Sequence, residues 1–146
     1  MPVQTHLIPC LRYADAPAAI DFLCRAFGFV RHAVYADEAN PKLIHHAQLT
    51  LNGAMIMLGS AGPGEITELF RWRTPEAAGG VTMCVCAVIE DPDAHAAVAR
   101  AAGADIVIEP HDNQGYPGRS YDARDPEGHV WNFGSYDPFA EQQPVA

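Results

Sequence analysis

The sequence predicts an α+β fold of two tandem β-α-β-β-β units that form a curved mixed sheet around a cleft, and three observations carry that prediction. Residues 125–135 hold a turn made by Pro126 and Gly128, a short run of β-formers and a stop at Gly134-Ser135; residues 52–60 hold the same shape around Gly53 and Gly59-Ser60. The offset of 75 positions that relates them also pairs Pro17 with Pro92, Ala19 with Ala94, Arg25-Ala26 with Arg100-Ala101, Gly28 with Gly103, Asp37 with Asp112 and Pro63 with Pro138. The recurring residues are largely Gly and Pro, which fix backbone geometry, and they mark the same helix start, helix end and hairpin turn in both halves.

Each element then follows in order. Residues 3–13 form an apolar β-type run. Asp15 is an N-cap, Pro17 suits the first turn, and Ile20, Phe22, Leu23, Ala26 and Phe27 make a helical apolar face closed by Gly28. Strands are expected at 29–35, 43–51 and 54–58, with a turn at 37–41 and an Asn-Gly hairpin joining the last two. Residues 61–80, punctuated by Gly and Pro, connect the repeats and hold a short helical turn within 65–73. The second unit runs as a strand at 81–89, a helix from Asp91-Pro92 to Ala102 ended by Gly103, and strands at 106–109, 120–123 and 129–133. The repeats therefore span about 3–60 and 79–135 within one domain, 1–137, followed by a polar flexible tail, 138–146.

A chain of 146 residues with 49% hydrophobic content is enough for one packed core. Its net charge of −9 argues against a nucleic-acid backbone or an anionic membrane surface as partner. No signal-peptide pattern or membrane-length apolar run appears, which leads to the expectation of a cytoplasmic location. Cys10, Cys24, Cys84 and Cys86 lie in apolar runs and are read as reduced core residues. The expected partners are a small-molecule ligand and a second copy of the chain, since long sheet edges need covering.

Two β-α-β-β-β units with Asp-Pro-x-Gly before the last strand resemble the vicinal oxygen chelate superfamily, and within it the glyoxalase/bleomycin-resistance proteins. The most specific stretch is Gly118-Arg119-Ser120-Tyr121 through Arg124-Asp125-Pro126-Glu127-Gly128-His129-Val130-Trp131-Asn132-Phe133-Gly134-Ser135. The resemblance implies sheets curled around a cleft, homodimers, and a divalent metal held by one ligand on the first and one on the last strand of each unit. Carried over, those positions are His6 and Met57, then Val81 and Asn132. Only His6 is a strong ligand. Val81 has no donor, a thioether suits soft Cu(I), and Asn132 offers a neutral carbonyl oxygen. No metal and no other cofactor is therefore expected.

Strand alternation places His6, Ile8, Gln48, Met55, Met57, Val130 and Asn132 in the cleft, with His46 beside Gln48. Arg119 and Tyr121 stand at its mouth, where a guanidinium suits a carboxylate or phenolate. A structural ion pair with Asp122, Asp125 or Glu127 is the competing role for both arginines, favoured slightly more for Arg124 than for Arg119. Trp131 and Phe133 are core. Tyr116, with His111, Asp112 and Asn113, lies in a loop, 111–119, able to act as a lid. Ligand contacts are therefore expected from His6, His46, Gln48, Met55, Met57, Tyr116, Arg119, Tyr121 and Asn132, and His6 is the candidate catalytic group. Three functions fit: a binding protein for a small, partly aromatic molecule; a metal-independent acid/base enzyme using His6 or Gln48; and a glyoxalase-like lyase, isomerase or dioxygenase with metal ligands displaced onto His6, His46, Gln48 and Asn132. The apolar and soft lining from Met55 and Met57 favours the first.

Overall fold

A computed structural model describes residues 1–140; the tail expected at 138–146 lies mostly outside them. The first unit comprises β1 (Cys10–Tyr13), α1 (Ala16–Phe27), β2 (Val30–Ala36), β3 (Ile44–Leu51) and β4 (Ala54–Ser60). Two short helices, α2 (Glu65–Phe70) and α3 (Pro75–Ala78), occupy the connection. The second unit comprises β5 (Cys84–Val88), α4 (Pro92–Ala101), β6 (Asp105–Asp112), β7 (Arg119–Arg124) and β8 (Val130–Gly134). Asp15 and Asp91 cap α1 and α4 through their carboxylates, with Pro in the first turn of each. Gly53 and Gly128 both take left-handed φ values, +86° and +89°, as the repeat requires of its hairpin glycines.

The strands form two separate four-stranded mixed sheets, β1-β4-β3-β2 and β5-β8-β7-β6, rather than one continuous sheet. In each, the first strand pairs parallel with the last and the others run antiparallel. The helix-facing sides of both sheets, with α1 and α4 packed on each other, enclose the core, where Trp131, Tyr13, Tyr121, Phe27, Phe133, Leu23 and Leu49 are fully buried. Phe27 of α1 reaches across to Trp131 and Phe133 of β8, at centroid distances of 5.4 and 4.7 Å. The cleft expected between the two sheets of one chain is therefore filled by helices and core, and the opposite face of each sheet is open.

The expected first strand is shorter than 3–13. Cys10 sits in parallel register with Met57, and the final backbone link is from Met57 N–H to the Pro9 carbonyl (2.9 Å). Pro9 has no N–H to add to the ladder, and upstream of it the chain forms no strand although β4 continues to Ala54. Three of the four cysteines are likewise not core: Cys10, Cys84 and Cys86 are exposed on the open faces, and Cys24 is half-buried. They alternate with the inward residues Leu11 and Val85.

The Asp-Pro-x-Gly turn of the second unit grips the β1–α1 junction of the first. Asp125 is buried and accepts four hydrogen bonds: Tyr13 Oη–H (2.6 Å), Trp131 Nε1–H (3.1 Å) and the backbone N–H groups of Glu127 (3.0 Å) and His129 (3.1 Å). The Glu127 carboxylate accepts from the N–H groups of Ala14 (2.6 Å) and Asp15 (2.9 Å), just ahead of α1. His129 Nε2 donates to the Arg12 carbonyl (2.9 Å). Burial first, and the Asp125 charge second, push the Tyr13 hydroxyl well above the usual tyrosine range, so it remains a donor.

His95 of α4 makes the second polar bridge. Its Nε2 lies 2.9 Å from the Phe27 carbonyl, which only accepts, so Nε2 carries the proton and Nδ1 accepts from the Tyr121 hydroxyl (2.5 Å). Desolvation lowers the His95 pKa, partly offset by the bond to Phe27. The unfolded chain therefore takes up this proton first as pH falls. His95 contributes stability that is present above its ordinary value of 6.5 and is lost as pH drops through the lowered folded value. Urea unfolding between about pH 7.5 and pH 5 should show wild type losing more stability than His95→Gln across that window; parallel slopes would contradict the assignment.

Candidate functional site

The open face of the first sheet is the more chemically varied of the two. One row runs in register from Cys10 through Met57 and Gln48 to Ala33. In the next, Arg12 pairs with Gly59 on β1–β4 and His46 pairs with Tyr35 on β3–β2. The Gln48 amide N–H donates to His46 Nε2 (3.1 Å), and the Tyr35 ring lies over His46 at 6.1 Å with 25° between planes. Trp72, brought in by the α2–α3 connection, covers the Arg12 guanidinium at 4.3 Å. Cys10, Arg12, His46, Met57, Gly59 and Trp72 line a cavity of about 170 Å³.

On the second sheet, Cys86, Asn132, Asp122 and Ile108 lie in one row, and Cys84 and Val130 begin the next. Asn132 Nδ2–H donates to Asp122 Oδ1 (2.9 Å). Cys84 and Cys86 point the same way with sulfurs 3.8 Å apart. Burial, reinforced by Cys84, pushes the Cys86 thiol up to about 11, so it is protonated at neutral pH and a poor nucleophile.

The structure brings His46, Gln48, Met55 and Met57 together on one open face and places Asn132 on the other, as alternation predicts. It does not bring His6 to them. His6 and Ile8 are exposed on the arm before β1, and Val81 is exposed before β5, because both first strands start later than expected.

Arg119 and Tyr121 turn to the helix side instead of the cleft mouth. Tyr121 is in register with Phe133, stacks on it, and bonds His95. Arg119 is held by both Asp93 oxygens (2.8 and 2.9 Å) and by Asp112 (2.9 Å), which raise its pKa further. The structural arginine is therefore Arg119, while Arg124 pairs with Asp105 (3.3 Å) and not with Asp122, Asp125 or Glu127.

Tyr116 is exposed at the β6–β7 hairpin tip and meets Tyr136 edge-on. The loop expected to be a lid is shorter than 111–119, since His111 and Asp112 belong to β6, and Asn113 laces it through Pro117, Gly118 and Ser120.

Sequence reasoning missed Arg12, Tyr35 and Trp72 as site residues. Arg12 and Cys10 were reachable by alternation from the inward Leu11 and Tyr13. Trp72 carried no such signal, because its connection has no period to read.

The chain belongs to the Glyoxalase/Bleomycin resistance protein/Dioxygenase superfamily, whose family model matches residues 4–133. Among solved structures, it is similar to TioX from Micromonospora sp. ML1, with 31% identity over 89% of this chain and 94% of that one and a TM-score of 0.67. It also shares the fold of UcmS2 (20% identity, 91% and 100% coverage, TM-score 0.66). A third match is a mutant of the genomically encoded fosfomycin resistance protein FosX from Listeria monocytogenes, complexed with Mn(II) and 1S,2S-dihydroxypropylphosphonic acid, at 13% identity, 94% coverage of both chains and a TM-score of 0.63. No curated protein matches the chain.

The residues here do not suit the divalent metal that the family implies. Met57 is flanked by Cys10 and Gln48, and Asn132 by Cys86 and Asp122, so the rows offer a thioether, thiols and amides with one carboxylate. Among the described residues, no group of three or more His, Cys, Asp or Glu side chains is placed to hold a metal ion. Among them, too, no helix is long and apolar enough to cross a membrane.

Proposed function

We propose that this protein binds a small, partly aromatic molecule in a cleft, without a divalent metal, and that a second copy of the chain completes the cleft. The observation that carries this reading is the open face of the first sheet, where Tyr35, His46, Gln48, Met57 and the Arg12–Trp72 pair stand together. Flat rings, an adaptable thioether and a few directed polar groups suit a planar ligand better than a hard cation.

The homodimer is supported by what the open faces expose. Exposed apolar residues include Tyr35 near the first sheet and Met83, Val88 and Ile108 near the second, with Val3 and Leu7 on the N-terminal arm. A two-fold axis that sets the first sheet of one protomer against the second sheet of its partner does so twice, and the contact closes.

Light scattering should return about twice the 15.8 kDa of the chain; a monomer at high concentration would refute the shared cleft. Protein purified after growth with Zn²⁺, Ni²⁺, Mn²⁺ or Fe²⁺ should carry well under one equivalent of metal, unchanged in His6→Ala. Near-stoichiometric metal that vanishes in Met57→Ala or His6→Ala would overturn the metal-free reading in favour of a lyase or dioxygenase.

A further inference from the structure

Arg12 occupies an interior position on a short, half-buried strand, where a charged side chain is costly unless something holds it. Three features do. Gly59 lies beside it in register, and a Cβ there would fall 2.7 Å from Arg12 Nη1, so the bare glycine backbone is what lets the guanidinium lie across the sheet. Nη1 donates to the Ser60 carbonyl (3.3 Å). Trp72 covers the guanidinium plane at 4.3 Å.

None of these neutralises the charge. No carboxylate among the described residues makes an ion pair with Arg12, whereas Arg31, Arg73, Arg100 and Arg124 each have one and Arg119 has two; Arg25 and Arg71, which also have none among the described residues, are exposed, and Arg12 is half-buried. Its Nε is buried without a hydrogen-bond partner. In a chain of net charge −9, with acidic groups plentiful, an oriented arginine lacking a counter-ion beside an open cavity is set for an anion from outside.

We propose that Arg12, positioned by Gly59 and Trp72, is the subsite for the carboxylate of an aromatic acid whose ring lies toward His46 and Tyr35. A planar monoanion matches the guanidinium fork. Arg12, His46 and Gly59 line the same cavity, so a ring that enters it lies beside the guanidinium. The inference rests on the aromatic-ligand reading above and adds the charge and the anchor.

The test titrates the full-length protein with benzoate and 2-naphthoate and with their neutral amides, followed by calorimetry and by tryptophan fluorescence. Trp131 is fully buried, so quenching reports on Trp72. The acids should bind at least about tenfold tighter than the amides, with a preference that weakens as salt rises. Arg12→Gln should remove that preference, so that acid and amide bind alike, and Gly59→Ala, which displaces the guanidinium, should narrow the acid-to-amide ratio. Matching circular dichroism spectra and unfolding midpoints confirm that each variant is folded; Arg12→Met, which also removes the charge, serves in place of Arg12→Gln if that variant is not. Equal binding of acid and amide, or an acid preference that survives in Arg12→Gln, would overturn the subsite alone. Failure of every ring compound to bind would overturn the aromatic-ligand reading and the subsite with it.

Discussion

The buried carboxylate of Asp125 is the interaction on which the rest of this structure depends. It belongs to the turn before β8, yet it receives the hydroxyl of Tyr13 from β1 as well as the indole N–H of Trp131. Each donor left unsatisfied in a buried site costs about 1–3 kcal/mol, so the four that converge on Asp125 outweigh the exposed ion pairs, which contribute about 0–1 kcal/mol each. Glu127 and His129, carried on the same turn, fasten the start of α1 and the Arg12 carbonyl. One short turn thus sets the position of one repeat against the other.

That clasp has a direct consequence for the candidate site. With the core and both helices between the sheets, the polar and aromatic side chains at alternate strand positions are left on outward faces. The Arg12 carbonyl is bonded to His129 on the backbone side, while its side chain lies over Gly59 on the open side. The turn that joins the repeats therefore also fixes the strand that presents Arg12. The site stands on rigid strands, and only Trp72 comes from an irregular segment.

Much of the fold was legible because it rests on local rules. Asp15 and Asp91 act as caps, Gly28 ends a helix, Gly53 and Gly128 turn hairpins, and each of these is written in a few adjacent residues. The faces of β3, β4 and β8 followed from alternation, but His46, Gln48 and Met57 stand on the open face of the first sheet and Asn132 on that of the second, not in one cleft of a single chain. What failed was anything decided across the chain. β1 starts only after Pro9, where its pairing with β4 begins, so His6 was assigned to a strand it does not reach. The inward turn of Arg119 and Tyr121 depends on Asp93 and His95 of a distant helix. Gly59 was read as a strand stop, whereas the structure uses it as floor space for an arginine, a role invisible without the neighbouring strand.

The two repeats should fold and stay folded as one unit through the Asp125 turn. Fluorine NMR of the protein labelled with 5-fluorotryptophan, followed through a urea titration, tests this directly, because Trp72 packs on Arg12 of the first repeat and Trp131 lies in the core of the second. Both native resonances should disappear over the same urea range. Loss of the Trp72 resonance while the Trp131 resonance persists, or the reverse, would contradict it.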